Sequence, residues 1–228
     1  YTDERKKNQV GQPAIVGDRY NIFYDFLVSN VQYSFSKILH IDLRDVFFQK
    51  DPFSVCPPMH YELFLAVENS TIGRDYYNKN WLRDGFGEKI LKQLSEKRVL
   101  CSGTTMGTYR AMLEYFRLMT NLIFEVDPAR NDQCVHNVLY YSKLLDSCKP
   151  LLLDNKSDLY FTLGLAHEYT ILLDKIYNSN RVSPAIVHQF DRLSVCELEH
   201  LNDHLTIPFD DLIMIKRELE TDNNRKTV

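Results

Sequence analysis

Residues 37–53, KILHIDLRDVFFQKDPF, decide the fold of this chain. Residues 37–41 are apolar and rich in strand-forming side chains, and the run ends at Asp42, close to which Arg44 and Asp45 add further charge. The pattern predicts a buried strand, central in its sheet, with carboxylates at its carboxyl end. In open α/β sheets the carboxyl ends of the strands line the ligand crevice, where Mg²⁺ or Mn²⁺ takes a few carboxylates and shares its other positions with water and phosphates. Asp42 and Asp45 are therefore candidate ligands of a metal ion shared with a diphosphate.

A structural interpretation of the same stretch stays open. In it the aspartates cap a short helix that runs through Phe48, and Asp51-Pro52 forms a second turn. A metal site requires further ligands close to the two carboxylates. An acidic surface turn does not, so the two interpretations make different predictions about the neighbours of Asp42 and Asp45.

The composition favours a globular α/β protein. The chain has 228 residues, 44% of them hydrophobic, so it can bury a full core, and we expect one domain over residues 1–228 with frayed ends at 1–12 and 221–228. The 27 Lys and Arg residues are scattered and the net charge is −4, which does not favour nucleic-acid binding. No apolar run approaches the roughly 20 residues of a membrane helix, so we expect no membrane span.

The cysteines leave the cellular compartment open. The five cysteines include no Cys-x-x-Cys pair, which argues against a zinc site and against thioredoxin-like chemistry. We expect reduced, structural thiols, although Cys134 and Cys148 could pair if the protein matures in an oxidising lumen.

Periodicity outlines the remaining elements. It predicts helices over residues 17–30, 109–123, 134–144 and 210–220. Short apolar runs predict strands over residues 62–67, 98–101, 151–154, 160–163 and 170–173, and a last strand that ends at His188. Residues 70–88 carry several aromatic side chains in helical pieces, which either pack against the body of the protein or stack on a sugar.

Polar residues at the ends of these elements are candidates for a site, each with a structural alternative. Arg19 lies in a first helical turn, where it is either solvated or placed to meet a phosphate or the acidic cluster. Residues 102–107 join a strand to a helix, which predicts a glycine turn that a ligand can approach closely. Asp132 lies near a helix start, where capping is the alternative to facing a ligand. His188 is either a core histidine or a metal ligand.

Four segments, taken in order, resemble the glycosyltransferases of the A-type fold, which use nucleotide-sugar donors. The segments are residues 42–53, 101–107, 131–133 and 185–192. The first departs from the usual Asp-x-Asp of this family, since Leu43 leaves the spacing Asp42-x-x-Asp45. The resemblance implies a single Rossmann-like domain, with a sheet flanked by helices and a small edge sheet towards the C-terminus. It also implies a base-binding strand before residue 15. Because the first residue is Tyr rather than Met, we expect a longer parent protein, of which this would be a soluble domain in the cytoplasm or the Golgi lumen.

The resemblance also implies roles for the candidate residues. Asp42, Asp45 and His188 would hold Mn²⁺ or Mg²⁺. Asp132 would be the catalytic base if the reaction inverts the sugar, whereas a retaining reaction needs no such base. Residues that would contact the donor are Arg19, Arg44, Ser102, Gly103, Thr104, Gly107, Gln133 and Gln189. The expected partners are a nucleotide-sugar donor, with UDP as the expected nucleotide, and a glycan or glycoconjugate acceptor that offers a hydroxyl.

Two other classes of protein stay open at this point. A non-catalytic carbohydrate-binding or interaction domain could keep the fold after losing the strict Asp-x-Asp, and Leu43 is the feature that favours it. A metal-dependent nucleotidyltransferase would share the donor chemistry, but its basic, glycine-rich N-terminal signature is not found in this sequence.

Overall fold

The computed structural model describes residues 15–33, 35–55, 60–126, 131–164, 166, 168–199 and 201. Its α-helices are α1 (Ile15–Ser29), α2 (Tyr76–Leu94), α3 (Tyr109–Val126), α4 (Asp132–Tyr141) and α5 (Val195–Glu199). Its strands are β1 (Lys37–Ile41), β2 (Val46–Phe48), β3 (Leu63–Thr71), β4 (Arg98–Thr108), β5 (Pro150–Leu153), β6 (Tyr160–Thr162), β7 (Tyr169–Leu172), β8 (Lys175–Asn178) and β9 (Ile186–His188). The predicted α/β class is confirmed.

The chain forms two compact units. Unit 1 comprises residues 1–41 and 56–154, and unit 2 comprises residues 42–55 and 155–228. Each unit is therefore assembled from two separate segments of the chain. The predicted helix over 210–220 and the predicted frayed ends lie outside the described residues.

Unit 1 contains a four-stranded sheet with the order β1-β4-β3-β5. β3 and β5 run parallel, and the other neighbouring pairs are antiparallel. The prediction that residues 38–41 form a central strand is wrong for the described sheet, in which β1 lies at an edge. Burial gives the reason: most of β1 is half-buried, whereas β4 is buried along nearly its whole length and occupies the interior of the sheet.

The predicted glycine turn at residues 102–107 is also wrong, because β4 continues as a strand to Thr108. Leu65 pairs with Thr105 but the next residue of β3 pairs with Cys101, so Ser102, Gly103 and Thr104 bulge away from β3. Gly107 sits where strands approach closely, since a Cβ atom there would lie 2.6 Å from the carbonyl oxygen of Glu62. The glycine that suggested a turn instead permits close strand packing.

The helices of unit 1 cover this sheet and supply most of its core. α1, α3 and α4 confirm the helices predicted over residues 17–30, 109–123 and 134–144. α2 accounts for the aromatic segment, and it bends at Gly87, where φ is 81°. The largest fully buried side chains of this core include Tyr20, Tyr115, Leu63, Leu65 and Met112. Among the described residues no helix is both long enough and apolar enough to cross a membrane.

Unit 2 contains a three-stranded sheet with the order β2-β9-β6 and a β7–β8 hairpin. β9 is antiparallel to β2 and parallel to β6. Because residues 46–48 are the strand β2, the alternative of a helix capped by the aspartates is wrong. The turn at Asp51-Pro52 is confirmed: the Asp51 carboxylate accepts from the N–H of Phe53 and caps a short 3₁₀ helix.

Gln49 ties β2 to the rest of unit 2. Its buried carboxamide accepts from the N–H of Ile176 and donates to the carbonyls of Ile176 and Pro184. The Gln49 N–H donates to the carbonyl of Ala185. The sequence suggested no role for this residue, and the structure shows that it fixes the strand that leads out of the acidic segment.

Candidate functional site

One edge of the unit 2 sheet brings three candidate residues together. β6 and β9 end at this edge, and the antiparallel β2 begins there, with Val46 opposite His188. The Nε2 atom of His188 lies 3.5 Å from Oδ1 of Asp45 and 3.8 Å from Oδ2 of Asp42. One ligand atom from each of the three side chains falls within 4.8 Å of the others. The predicted proximity of His188 to both carboxylates is confirmed, and we call this group the candidate metal centre.

A bend between β1 and β2 explains how carboxylates three positions apart reach the same imidazole. Leu43 is 88% exposed and Arg44 is exposed as well, so the two intervening side chains point outward at the bend. The N–H of Gln189 donates to the carbonyl of Asp45 over 2.7 Å and holds the bend against the end of β9. The departure from Asp-x-Asp therefore does not prevent the two carboxylates from converging.

Burial and charge prepare these side chains to bind a cation. The side chain of His188 is 3% exposed, that of Asp45 14% and that of Asp42 35%. Burial acts to raise the pKa of Asp45, but its hydrogen bond with His188 and the charges of His188 and Arg44 outweigh burial and lower the pKa below its ordinary value. Asp45 is therefore ionised at neutral pH. Two carboxylates and one imidazole can hold a divalent metal ion and leave coordination positions for other ligands.

Two predicted donor contacts lie beside the candidate metal centre in the same unit. The exposed guanidinium of Arg44 lies 3.4 Å from an Asp191 carboxylate oxygen. Gln189 directly follows His188, is half-buried and adopts a left-handed backbone conformation with φ at 61°. Their contacts with a donor stay predictions.

The other candidates belong to unit 1, where Asp132 is held by α1. Asp132 is buried, and its Oδ2 accepts from the guanidinium of Arg19 and, over 2.9 Å, from the hydroxyl of Tyr20. Its Oδ1 accepts from the N–H of Gln133, while the helix cap itself is Asn131. Arg19 thus meets a carboxylate rather than only solvent. Neither the pair nor the part played by Tyr20 was predicted, since no local spacing signals partners 113 positions apart.

Behind Asp132 lies a buried group of aromatic side chains. The hydroxyl of Tyr115 lies 2.8 Å from Nδ1 of His136, and the ring of Tyr20 contacts the rings of Tyr115 and His40. Burial raises the pKa of both tyrosines. Burial, together with the nearby His40, lowers the pKa of His136 to about 3, so its imidazole is neutral at physiological pH.

Amide side chains of α4 form hydrogen bonds with the backbone of β4 near its bulge. The Gln133 carboxamide accepts from the N–H of Ser102 and donates to the carbonyl of Leu100. Asn137, one turn later, also bonds both backbone groups of Leu100. These bonds satisfy backbone groups of Leu100 and Ser102, which lie beyond the Ile41–Thr104 pair where the pairing of β4 with β1 ends. Gln133 therefore has a structural role that its sequence context did not reveal. Contacts of a donor with Gln133, Ser102, Gly103, Thr104 and Gly107 stay predictions.

Three described cysteines of unit 1, Cys101, Cys134 and Cys148, are buried and form no disulfide. The Cys134–Cys148 disulfide that the sequence left open is not formed in this structure.

Comparison of the chain with protein-family models found no match. A search of curated proteins found no match either.

Proposed function

We propose that the protein is a metal-dependent glycosyltransferase that moves a sugar from a nucleotide-diphosphate donor, with UDP as the expected nucleotide, to a hydroxyl of a glycan. The observation that carries the proposal is the convergence of Asp42, Asp45 and His188 at one sheet edge. The resemblance of four ordered segments to A-type glycosyltransferases supplies the reaction class.

The donor atoms fit a divalent metal ion of this chemistry. Carboxylate oxygens suit both Mg²⁺ and Mn²⁺, and the imidazole of His188 favours Mn²⁺. When bound, such an ion acts as a Lewis acid that offsets the charge of a diphosphate leaving group. The ordered bend at Asp42 and Asp45 supports this assignment, because ligands held by backbone bonds need little rearrangement to bind.

Asp132 is the candidate base of an inverting reaction. A carboxylate has about four lone-pair sites, so Asp132 can accept a proton from an acceptor hydroxyl while it keeps its bonds to Arg19, Tyr20 and Gln133. The Arg19 guanidinium pairs with the Asp132 carboxylate and holds it in place. A retaining enzyme would use Asp132 only as a structural group.

The rival class is a carbohydrate-binding domain that has lost catalysis. Its main support was the insertion of Leu43 between the two aspartates. The outward position of Leu43 and the short distances from His188 to both carboxylates favour the metal-dependent enzyme instead.

Calorimetry tests the proposal directly. We expect UDP to bind the protein in the presence of Mn²⁺ and to bind far more weakly when the metal is removed with a chelator. The variant Asp42→Asn should lose most of the metal-dependent affinity, since it removes one anionic ligand. A binding domain would show UDP affinity that is absent or independent of Mn²⁺.

A matched control separates the site from general effects of charge. Asp174 is an exposed aspartate of unit 2 in the β7–β8 turn, where its φ of 60° is one that asparagine also adopts readily. Asp174→Asn therefore changes the net charge by the same amount as Asp42→Asn without touching the candidate metal centre. Equal losses in the two variants would contradict the proposal.

A further inference from the structure

Gly164 and Gln189 follow the two parallel strands that end beside the candidate metal centre. β6 and β9 are in register at Thr162 and His188, so the residues just after them emerge at the same sheet edge. The N–H of Leu163 donates to the carbonyl of His188 over 2.9 Å, which fixes the two strand ends together. Ligands commonly bind at the carboxyl ends of parallel strands, so side chains here are placed to contact one.

The carboxamide of Gln189 occupies the space that any other residue at position 164 would fill. A Cβ atom built on Gly164 would lie 1.9 Å from Oε1 of Gln189, which is far inside contact distance. The Nε2 atom is the more distant end of the amide, at 3.7 Å. A Cα–H group is a weak donor, so the oxygen is the end expected to face Gly164, and the NH₂ group is left for other partners.

The backbone of Gln189 is fixed while its amide keeps hydrogen-bonding capacity. Its left-handed conformation is held by the bond from its N–H to the carbonyl of Asp45. Among the described residues, none accepts from or donates to the half-buried Gln189 side chain. Its NH₂ group, next to the candidate metal ligand His188, can therefore donate a hydrogen bond to an oxygen atom of a bound ligand.

Thr162 is a second observation at the same edge. It pairs in register with His188, so the two side chains share one face of the sheet. Thr162 is 2% exposed, and its hydroxyl oxygen has no hydrogen-bond partner among the described residues. Buried hydroxyls normally have a hydrogen-bond partner, so the hydroxyl of Thr162 can still bond a ligand at the ends of these strands.

We propose that Gly164 is a positioning residue of the candidate metal centre. It leaves the space in which the amide of Gln189 lies, and this amide donates to a phosphate oxygen of the bound nucleotide diphosphate. The inference rests on the proposed function for the identity of this ligand. Gly164 acts through Gln189 and is a positioning residue, whereas Gln189 contacts the ligand.

A double-mutant cycle on stability tests the geometry without any ligand. Gly164→Ala should lower the melting temperature by a small but measurable amount, because the new methyl group displaces only the flexible end of the Gln189 side chain. In the Gln189→Ala background the same Gly164→Ala change should cost much less, since the atoms it meets are gone. Equal costs in both backgrounds would overturn the proposed relation between the two residues.

A second cycle uses UDP affinity in saturating Mn²⁺, measured by calorimetry. We expect Gly164→Ala and Gln189→Ala each to weaken UDP binding about tenfold, the loss of one hydrogen bond to a charged acceptor. The double variant should bind no more weakly than Gln189→Ala alone, and Mn²⁺ affinity should stay unchanged in all three. Additive losses, or unchanged UDP affinity in Gly164→Ala, would overturn the inference while the proposed function stands. Wild-type protein that binds Mn²⁺ but shows no metal-dependent UDP affinity would overturn the proposed function and the ligand role of Gln189 with it.

Discussion

The imidazole of His188 lies 3.5 Å from the carboxylate of Asp45, and the residue after His188 donates its N–H to the carbonyl of Asp45. The bend at residues 42–45 and the end of β9 are therefore joined by a side-chain contact and by a main-chain hydrogen bond. The main-chain bond does not depend on the charge of Asp45. Metal binding and local folding can for this reason be separated by substitutions that keep shape and change only charge.

Asp45→Asn should abolish metal-dependent turnover of a nucleotide sugar and leave the fold intact. Asparagine keeps the shape of aspartate and removes only its charge, so we expect the free energy of unfolding to change by about 1 kcal/mol or less. Turnover with added Mn²⁺ and chemical denaturation are the two measurements. Unaltered turnover would count against the candidate metal centre, and an unfolded variant would make Asp45 a structural residue.

His188→Ala should weaken Mn²⁺ binding about tenfold or more, because it removes a direct ligand. Imidazole suits Mn²⁺ better than it suits Mg²⁺, so the loss of affinity should be larger for Mn²⁺. Titration of both metals into wild-type and variant protein gives the two ratios. Losses of equal size for the two metals would indicate that His188 acts only by supporting the aspartates.

Asp132→Asn should lower the free energy of unfolding by about 1–3 kcal/mol, since the Arg19 guanidinium and the Tyr20 hydroxyl lose a charged acceptor. Arg19 keeps some access to water, so we expect a smaller effect than for a fully buried ion pair. Asp84→Asn is the control, because the Arg83–Asp84 pair is largely exposed and surface pairs contribute little. Similar denaturation curves for both variants would contradict the structural role of Asp132.

His136 should make stability fall in acid. Its pKa in the folded protein is lowered to about 3, so below its ordinary pKa of about 6.5 the unfolded chain binds a proton that the folded protein does not. The contribution to stability is complete above about pH 6.5 and decreases by up to about 1.4 kcal/mol per pH unit as the pH falls towards 3.

The variant His136→Asn isolates this contribution. Asparagine can still accept a hydrogen bond near the position of Nδ1, but it does not titrate. Urea denaturation of both proteins at pH 7, 6 and 5 should give a steeper loss of stability for the wild type. Parallel losses would show that His136 does not titrate on unfolding.

Gly107→Ala should destabilise the protein by about 1–3 kcal/mol, because the new Cβ atom would lie 2.6 Å from a backbone oxygen that cannot easily move. The cost should be the same with and without Mn²⁺ and UDP if Gly107 serves strand packing alone. A variant of normal stability that binds UDP poorly would instead favour the predicted donor contact.

Local patterns were sufficient to predict α1, α3, α4 and most of the described strands. The amphipathic residues of α1 and α3 and the apolar runs of β3 and β5 each carry their own signal in sequence. The order of the strands has no such local signal, because it depends on which faces of the sheet the helices cover. For this reason the sequence wrongly predicts that β1 is central, whereas it lies at an edge of the described sheet. The glycines of β4 suggested a turn. Gly107 instead allows β4 to pass close to the Glu62 backbone, which is distant in sequence and gives no local signal.

The candidate metal centre was predictable in part. His188 and the two aspartates were recognised because their residue types suit one chemistry and their order matches a family pattern. The pairing of Arg19 with Asp132 and the packing of Gln189 over Gly164 have no such signal, since each depends on side-chain placement across elements far apart in the chain. Sequence thus indicates which residues have useful chemistry, and the fold decides which of them share a partner.

The division of unit 2 into residues 42–55 and 155–228 has a consequence for biosynthesis. A ribosome delivers Asp42 and Asp45 first, then the long intervening segment of unit 1, and His188 only after that segment. Until that moment the nascent polypeptide has the two carboxylates without the imidazole, and without β9 to hold the bend. Unit 1 can bury its core during this interval, whereas the candidate metal centre is incomplete until β9 has left the ribosome.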